Sequence, residues 1–395
     1  MKRFYLIFLA FFILFACDRQ DDSYRQYVVP GGYNYPAKPL EVSARSGYLK
    51  VTLSWSTSLD PAVKAVKVFW DNYADSVVVD YGSAVNGRLS TTITDLEDRS
   101  YTFDIVNFDG SGNRSLPAEI TVAPYGDGWL TTHAERKVTR AQLRNSNAVI
   151  TMGNPMDEMT ATKFRYRNKS GEWVEHKKVL KADDFEISLP DALPGKLIEY
   201  QSAYCPENGI DTVWTGNWMK SQIPISYNID GTRTTVSVTE NQINESYAPA
   251  LILDGIKDDS NSRWMSSVLS SYRGIFPKIL VLDTKLIGDN AMTFTAFDFY
   301  QDPDPENESR RYIRDISIYV SDTKFNPDDT NYSFHFGDPV LKATLPKSKP
   351  EYELALPEPV RGRFIAIVFR TSYSSVSWID LWELEAYGYV AESID

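Results

Sequence analysis

Along most of the chain, short β-branched and aromatic runs alternate with polar residues at a period of two, and Gly, Pro, Asn and Asp fill the gaps. Such alternation puts one face of a strand in a core and the other toward water, while the turn residues separate one strand from the next. From Pro39 to Ala123 the pattern predicts strands at Leu49–Trp55, Val66–Trp70, Ser76–Val79, Ser90–Thr94, Tyr101–Ile105 and Glu119–Val122. Their spacing is roughly the 8–12 residues of an all-β sandwich. Residues 124–224 repeat the habit at Ala148–Met152, Lys163–Tyr166, Phe185–Leu189, Leu197–Tyr204 and Thr212–Trp214. Arg136 to Leu143 reads instead as a short helix. The last third holds the apolar run Ile279–Asp283, the alternating Ile316–Ser321, the strand-like Arg363–Phe369 and a final strand at Glu383–Gly388. The expected fold class is all-β and multi-domain.

The first residues change the picture of where the chain works. Met1-Lys2-Arg3 precedes thirteen apolar residues, Phe4–Ala16, within the roughly 7–15 of an export signal and short of the ~20 that span a bilayer. Residues 1–16 are thus read as a signal peptide. Leu14-Phe15-Ala16-Cys17 resembles a bacterial lipobox with Cys17 as the lipidated residue. The acidic tract after it, from Asp18 to Asp22, resembles the surface-export signal of lipoproteins in Bacteroidetes-type bacteria. A cleaved, soluble secreted protein is the other reading. Residues 17–37 carry no period of either kind and read as a flexible tether that holds the first domain off the membrane. With Cys17 lipidated, Cys205 has no intramolecular partner and reads as a buried strand thiol.

Charge and composition exclude one class of partner. The 395 residues sum to a net charge of −12, whereas phosphate binding needs a basic face. No basic stripe interleaved with aromatics stands out in the linear sequence, so no nucleic acid is expected. The 24 Tyr and 9 Trp offer flat apolar rings with a polar tip, most of them expected in cores.

Particular residues carry family resemblances. Trp55, Leu96 before Tyr101, and the turn Asp109–Ser115 make residues 38–123 similar to a fibronectin type III domain. Leu189 and Tyr200 echo Leu96 and Tyr101, so residues 124–224 resemble a second fibronectin- or Ig-like sandwich. The two segments together resemble a lipoprotein family of unknown function. Leu253-Asp254-Gly255, the three strands that follow and Glu383–Gly388 resemble, in that order, the discoidin or coagulation-factor 5/8 C-type domain, whose sugar-binding branch is the family 32 carbohydrate-binding modules. Residues 225–395 are assigned to it. The resemblance implies a jelly-roll β-sandwich with ligand loops at one end, a structural calcium, and binding rather than catalysis. One fold hosts many ligands, so it does not name the sugar.

Chemistry is sparse. His133, His176 and His335 are far apart in sequence and none has a metal-ligand spacing. There is no phosphate loop, dinucleotide fingerprint or nucleophile elbow. A pair of acids for glycoside hydrolysis is always imaginable among 53 acidic residues and carries no weight. No enzyme is expected. Calcium takes six to eight oxygens, and the resemblance implies Asp258 or Asp259 with Ser262, just before Trp264, and Glu383 in the last strand as its ligands. Ile256 stands where that family has an acidic or amide residue, and a solvated acidic turn is the other reading.

For sugar, an aromatic face meets the C–H face of the ring while charged groups bond its hydroxyls. The resemblance implies Tyr272 with Arg273, Tyr300 with Arg310 and Arg311, and Tyr373 with Trp378 in loops at one end. Trp378 is as well read as a core ring; Trp264 and Trp382 are read as core. The resulting expectation is an outer-membrane lipoprotein, lipid-anchored and facing the cell exterior. Its C-terminal module would bind glycan, as polysaccharide or glycoprotein sugar, and hold it near a glycan-uptake porin. The alternative is a structural or adhesive surface protein whose module grips a protein partner.

Overall fold

The computed structural model describes residue 32 and residues 35–239, 245–266, 275–302, 312–347, 350–373 and 378–390. The chain is all-β. Its α-helices among these residues are single turns, Asp127–Leu130 and Tyr332–His335, and among the described residues no helix is long and apolar enough to cross a membrane. The chain divides into two compact units. One runs to His133 and takes in Cys205–Val213; the other comprises Ala134–Tyr204 and the chain from Trp214 on. The first unit therefore passes the expected boundary at 123, and the expected divisions 124–224 and 225–395 largely share the second.

In the first unit, β1 (Leu40–Gly47), β2 (Lys50–Ser56) and β5 (Arg88–Ile93) form one antiparallel sheet. β3 (Val63–Trp70), β4 (Asp75–Val79), β6 (Tyr101–Asp109) and β7 (Ala118–Val122) form the other. Alternate residues Val51, Leu53 and Trp55 of β2 meet Val66, Val68 and Phe103 of the facing sheet in one core. Trp55 is therefore core, as its position implies. The Tyr101 hydroxyl accepts the Glu97 backbone N–H at 3.0 Å, with Leu96 buried beside it. Tyr101→Phe would leave that N–H without its partner at a cost of about 1–2 kcal/mol. Thermal unfolding of the variant measures this, and an unchanged transition would contradict the corner's role. Asp109 Oδ1 accepts the N–H groups of Ser111 and Asn113 at 2.9 and 2.8 Å, which closes the turn after β6. Asp211 fastens the Cys205–Val213 segment here, accepting from Tyr48 N and pairing with Lys50 Nζ, both at 2.9 Å. Cys205 lies half-buried beyond the last strand residue before it, Tyr204, and is not the buried strand thiol expected.

The second unit opens on a sandwich of its own. β8 (Val138–Arg144), β9 (Asn147–Met152) and β13 (Glu186–Pro190) make one sheet. The other has six strands: β10 (Met159–Arg167), β11 (Trp173–Glu175), β12 (Leu180–Lys181), β14 (Glu199–Tyr204), β15 (Val213–Trp214) and β16 (Met219–Lys220). Ile150, Phe164, Ile187, Leu189, Ile198 and Tyr200 fill the space between them. The expected helix at Arg136 to Leu143 is β8. Polar Arg140, Gln142 and Arg144 alternate with Ala141 and Leu143, and the strand pairs with β9 from Val138↔Met152 to Arg144↔Asn147. A register shift between Val138 and Arg140 blurs the period and gives the segment its helix-like spacing.

Ser226 then runs alongside β8, donating to Ala141 O and accepting from Leu143 N. The next residues, β17 (Tyr227–Asn228), pair with β27 (Glu383–Val390), so the chain passes directly from the edge of one sandwich to the edge of the next. There β17, β27, β21 (Met292–Tyr300) and β24 (Glu351–Arg361) form one sheet. β18 (Thr235–Val238), β20 (Lys278–Asp283), β25 (Phe364–Ser372), β22 (Ile313–Ser321) and β23 (Leu341–Thr344) form the other. A two-stranded ribbon of β19 (Trp264–Met265) and β26 (Asp380–Leu381) lies with them. Trp264, Phe294, Phe297, Ile316, Ile367 and Leu384 belong to a single core. Trp264 and Trp382 are core rings, 0% and 5% exposed.

Candidate functional site

The strand ends of the C-terminal sandwich converge at one end. β21 finishes at Tyr300, which pairs with Glu351 and Glu383. β22 starts at Ile313, opposite Ser372 at the finish of β25. Gln301 joins the two sheets at this point: its N–H donates to Pro350 O at 2.7 Å and its Oε1 accepts Ile313 N at 2.9 Å. Ser266 N donates to Ile379 O at 2.9 Å and Tyr373 N to Tyr312 O at 3.1 Å. Residues 267–274, 303–311 and 374–377 follow Ser266, Asp302 and Tyr373 in sequence and lie outside the described residues. Tyr272, Arg273, Arg310 and Arg311 fall among them and lie outside the described residues, as does Cys17.

Tyr373 and Trp378 are at this end, and both are half-buried. The Tyr373 hydroxyl donates to Leu345 O at 2.6 Å, and the Arg314 guanidinium stands 5.9 Å from its ring centre. Arg314 itself is 53% exposed. A fixed ring with a reachable guanidinium beside it is thus built at the loop end. A shallow groove lined by Thr344, Leu345, Pro346, Pro350 and Glu351 lies next to it. Lys278 opens β20 here almost fully buried, and burial pushes its ammonium down to about 8.

Tyr300 is not a loop ring. It closes β21 at 8% exposure, its hydroxyl donates to Glu385 Oε2 at 3.0 Å, and Lys257 Nζ sits 3.9 Å over its ring. Lys257 also pairs with Glu385 at 2.9 Å, and the Tyr387 hydroxyl donates to the same carboxylate at 3.0 Å. Burial, with Glu385 alongside, pushes both phenols up. The ring expected to meet sugar therefore belongs to a buried polar network.

That network continues to the middle sandwich. Arg140 and Arg144 of β8 both pair with Glu353 of β24, and Arg144 Nη2 lies 2.8 Å from Asp298 Oδ2 of β21. Asp298 is fully buried and its Oδ1 faces no donor among the described residues. Burial pushes its carboxyl up to about 7. The sequence gives no local sign of these pairs, because β8 and β24 are far apart along the chain.

The residues expected to hold calcium are only partly brought together. Asp258 and Asp259 are exposed, and Asp259 Oδ1 closes its own turn by accepting Asn261 N at 2.8 Å. Ser262 donates instead to Asp254 Oδ2. Glu383 is 1% exposed and its Oε2 accepts the Gly255 N–H at 3.2 Å. Burial, with Asp254 and Glu385 adding to it, pushes its carboxyl up to about 9. Among the described residues no three His, Cys, Asp or Glu side chains group as a metal site would need. Glu383, Asp254 and Ser262 are brought together through these bonds, whereas Asp259 is engaged in its own turn.

Comparison with known proteins places the first half of the chain. Residues 17–213 match the family DUF4998, a domain of unknown function. The DUF4998 segment ends at Val213, where the Cys205–Val213 segment of the first unit also ends. No curated protein matches the chain. Among solved structures, a SusE-like protein is similar at 8% identity over 88% of this chain and 96% of its own, with a TM-score of 0.32. The family 32 carbohydrate-binding module of NanJ from C. perfringens, solved with galactose, is similar at 13% identity over 41% of this chain and 99% of its own, TM-score 0.32. A two-domain fibronectin type III segment of chicken tenascin is similar at 12% identity over 46% of this chain and 99% of its own, TM-score 0.20.

Proposed function

We propose that this protein is a non-catalytic cell-surface lipoprotein, anchored through Cys17, that captures polysaccharide at the loop end of its C-terminal sandwich and passes it to an uptake porin. The observation that carries the reading is the Tyr373 ring, fixed by its bond to Leu345 O, with the half-exposed Arg314 guanidinium beside it where the strand ends meet. A ring face and a multi-donor cation are the pair that a sugar's C–H face and hydroxyls require. The export signal and acidic tract at the start of the chain support an exterior address. A calcium ion held by Glu383, Asp254 and Ser262 would brace the loop that leads into β19.

An array of neutral and acidic polysaccharides tests the proposal on the purified chain. Binding to at least one polysaccharide is expected, with no release of reducing ends from it. A blank array, or reducing ends that accumulate, would contradict the reading.

A further inference from the structure

Lys163, Arg165 and Arg167 occupy alternate positions on β10, opposite in phase to the buried Phe164 and Tyr166, so all three leave the sheet on its outer face. Three tryptophans from separate segments stand between them. Arg167 is 4.8 Å from the Trp173 ring centre, and Arg165 is 5.1 Å from Trp173 and 4.6 Å from Trp218. Lys163 is 5.1 Å from Trp218 and 4.9 Å from Trp214. Every step is within the ~6 Å of a cation–π contact, and the six side chains form one unbroken ladder. Registry makes it: β10 pairs with β11, which begins at Trp173, and with β14, whose Glu199 lies opposite Arg165.

Two features of the ladder point to a ligand. First, it reverses the charge of the chain. Between Lys163 and Lys181 there are seven Lys and Arg against two Glu, in a protein of net charge −12. The three cations stand about 6.8 Å apart along one strand; Lys163 pairs with Glu175 at 3.8 Å and Arg165 with Glu199, which leaves Arg167 with no carboxylate partner among the described residues. Second, its donors are held in place but not all used. Glu199, 6% exposed, accepts Arg165 Nε at 2.5 Å and so fixes that guanidinium. Arg167 gives one N–H to Gly171 O at 2.7 Å and its other N–H groups have no protein partner among the described residues. Trp173 is 45% exposed. A guanidinium stacked on a ring presents a planar fork that matches carboxylate and sulfate.

We infer that this face of the middle sandwich is a second glycan site, specific for polysaccharide that carries carboxylate or sulfate groups. Nucleic acid is disfavoured by the acidity of the rest of the chain and by its export signal. The site is separate from the C-terminal loop end and stands whether or not that end binds sugar.

Biolayer interferometry of the purified full chain against heparin, polygalacturonate, neutral dextran and single-stranded poly-dT tests it. Heparin or polygalacturonate is bound, more weakly as salt is raised, and dextran is not held by the ladder. Arg167→Gln and Lys163→Gln, at the two ends of the ladder, each weaken polyanion binding about tenfold with unchanged melting. Arg167→Lys weakens it less than Arg167→Gln, and any neutral glycan bound elsewhere is held as before. No binding of either polyanion, equal binding by both Gln variants and the native chain, or poly-dT held as tightly as the polysaccharides would overturn the assignment.

Discussion

Arg144→Ala lowers the unfolding free energy of the second unit by about 3–5 kcal/mol at pH 8, the cost of leaving a buried charge without its partner. The charge is Asp298, fully buried on β21, with Arg144 Nη2 at 2.8 Å as the cation against it. The deficit shrinks in acid. Burial pushes the Asp298 carboxyl up to about 7 even with Arg144 in place, against about 3.9 in an unfolded chain. Folding therefore favours the protonated acid. That contribution is complete below the unfolded value and is lost as pH rises through the folded one. Without Arg144 the carboxyl is held protonated to still higher pH, so the variant is nearer to native stability at pH 5 than at pH 8. Arg144→Ala combined with Asp298→Leu recovers most of the loss, because the pair is then replaced rather than broken. Urea unfolding at the two pH values measures all three. A deficit that is the same at both, or under about 1 kcal/mol at pH 8, would show that the pair does not join the two sandwiches as described.

Calcium raises the thermal transition of the native chain by about 5 °C when present at roughly a hundred times its dissociation constant, and Glu383→Gln abolishes the response. Glu383 is nearly sealed from solvent, and burial pushes its carboxyl up to about 9. Its proton is taken up on folding, so in the absence of metal stability falls as pH rises above the unfolded glutamate value and through 9. A bound cation takes the place of that proton, so calcium stabilises more at pH 8.5 than at pH 6. Gln imitates the protonated acid and still offers Gly255 N–H an oxygen, so the metal-free variant melts no lower than native at high pH. Asp258→Asn and Asp259→Asn leave the calcium response intact, since both side chains are exposed and Asp259 is engaged by Asn261 N in its own turn. A calcium response that survives Glu383→Gln, or none in the native chain at any pH, would remove the metal from this site.

Residues with local signatures are legible in the sequence itself. Trp55, Leu96 and Tyr101 each sit in a strand or corner whose neighbours along the chain are its neighbours in space, and all three are buried as expected. β20, β22, β25 and β27 fall where alternation places them. β24 does not announce itself, because Pro357 and Pro359 lie within it; its register jumps from Ala296↔Ala355 to Phe294↔Val360, and only a sheet-edge strand tolerates such an interruption. Tyr300 reads as a loop ring because an acidic, proline-rich turn follows it, yet the alternation of Phe297, Asp298, Phe299 and Tyr300 already marks a strand. What pairing alone creates stays hidden. Asp298 needs β8, which lies in the preceding sandwich, and the tryptophan ladder needs three segments brought beside β10. Lys163-Phe164-Arg165-Tyr166-Arg167 does interleave basic and aromatic residues, but Phe164 and Tyr166 are core rings, and the three tryptophans that stack on the cations come from outside the strand.

The most direct measurement is the affinity of the Tyr373→Ala chain for whichever polysaccharide the native protein binds on an array, taken together with its melting temperature. Loss of at least tenfold in affinity with an unshifted transition is the expected result, since the ring is fixed at the loop end with one face toward Arg314. Native affinity, or a loss matched by an equal collapse in melting, would place Tyr373 in the packing of the sandwich and leave its loop end without a role in binding.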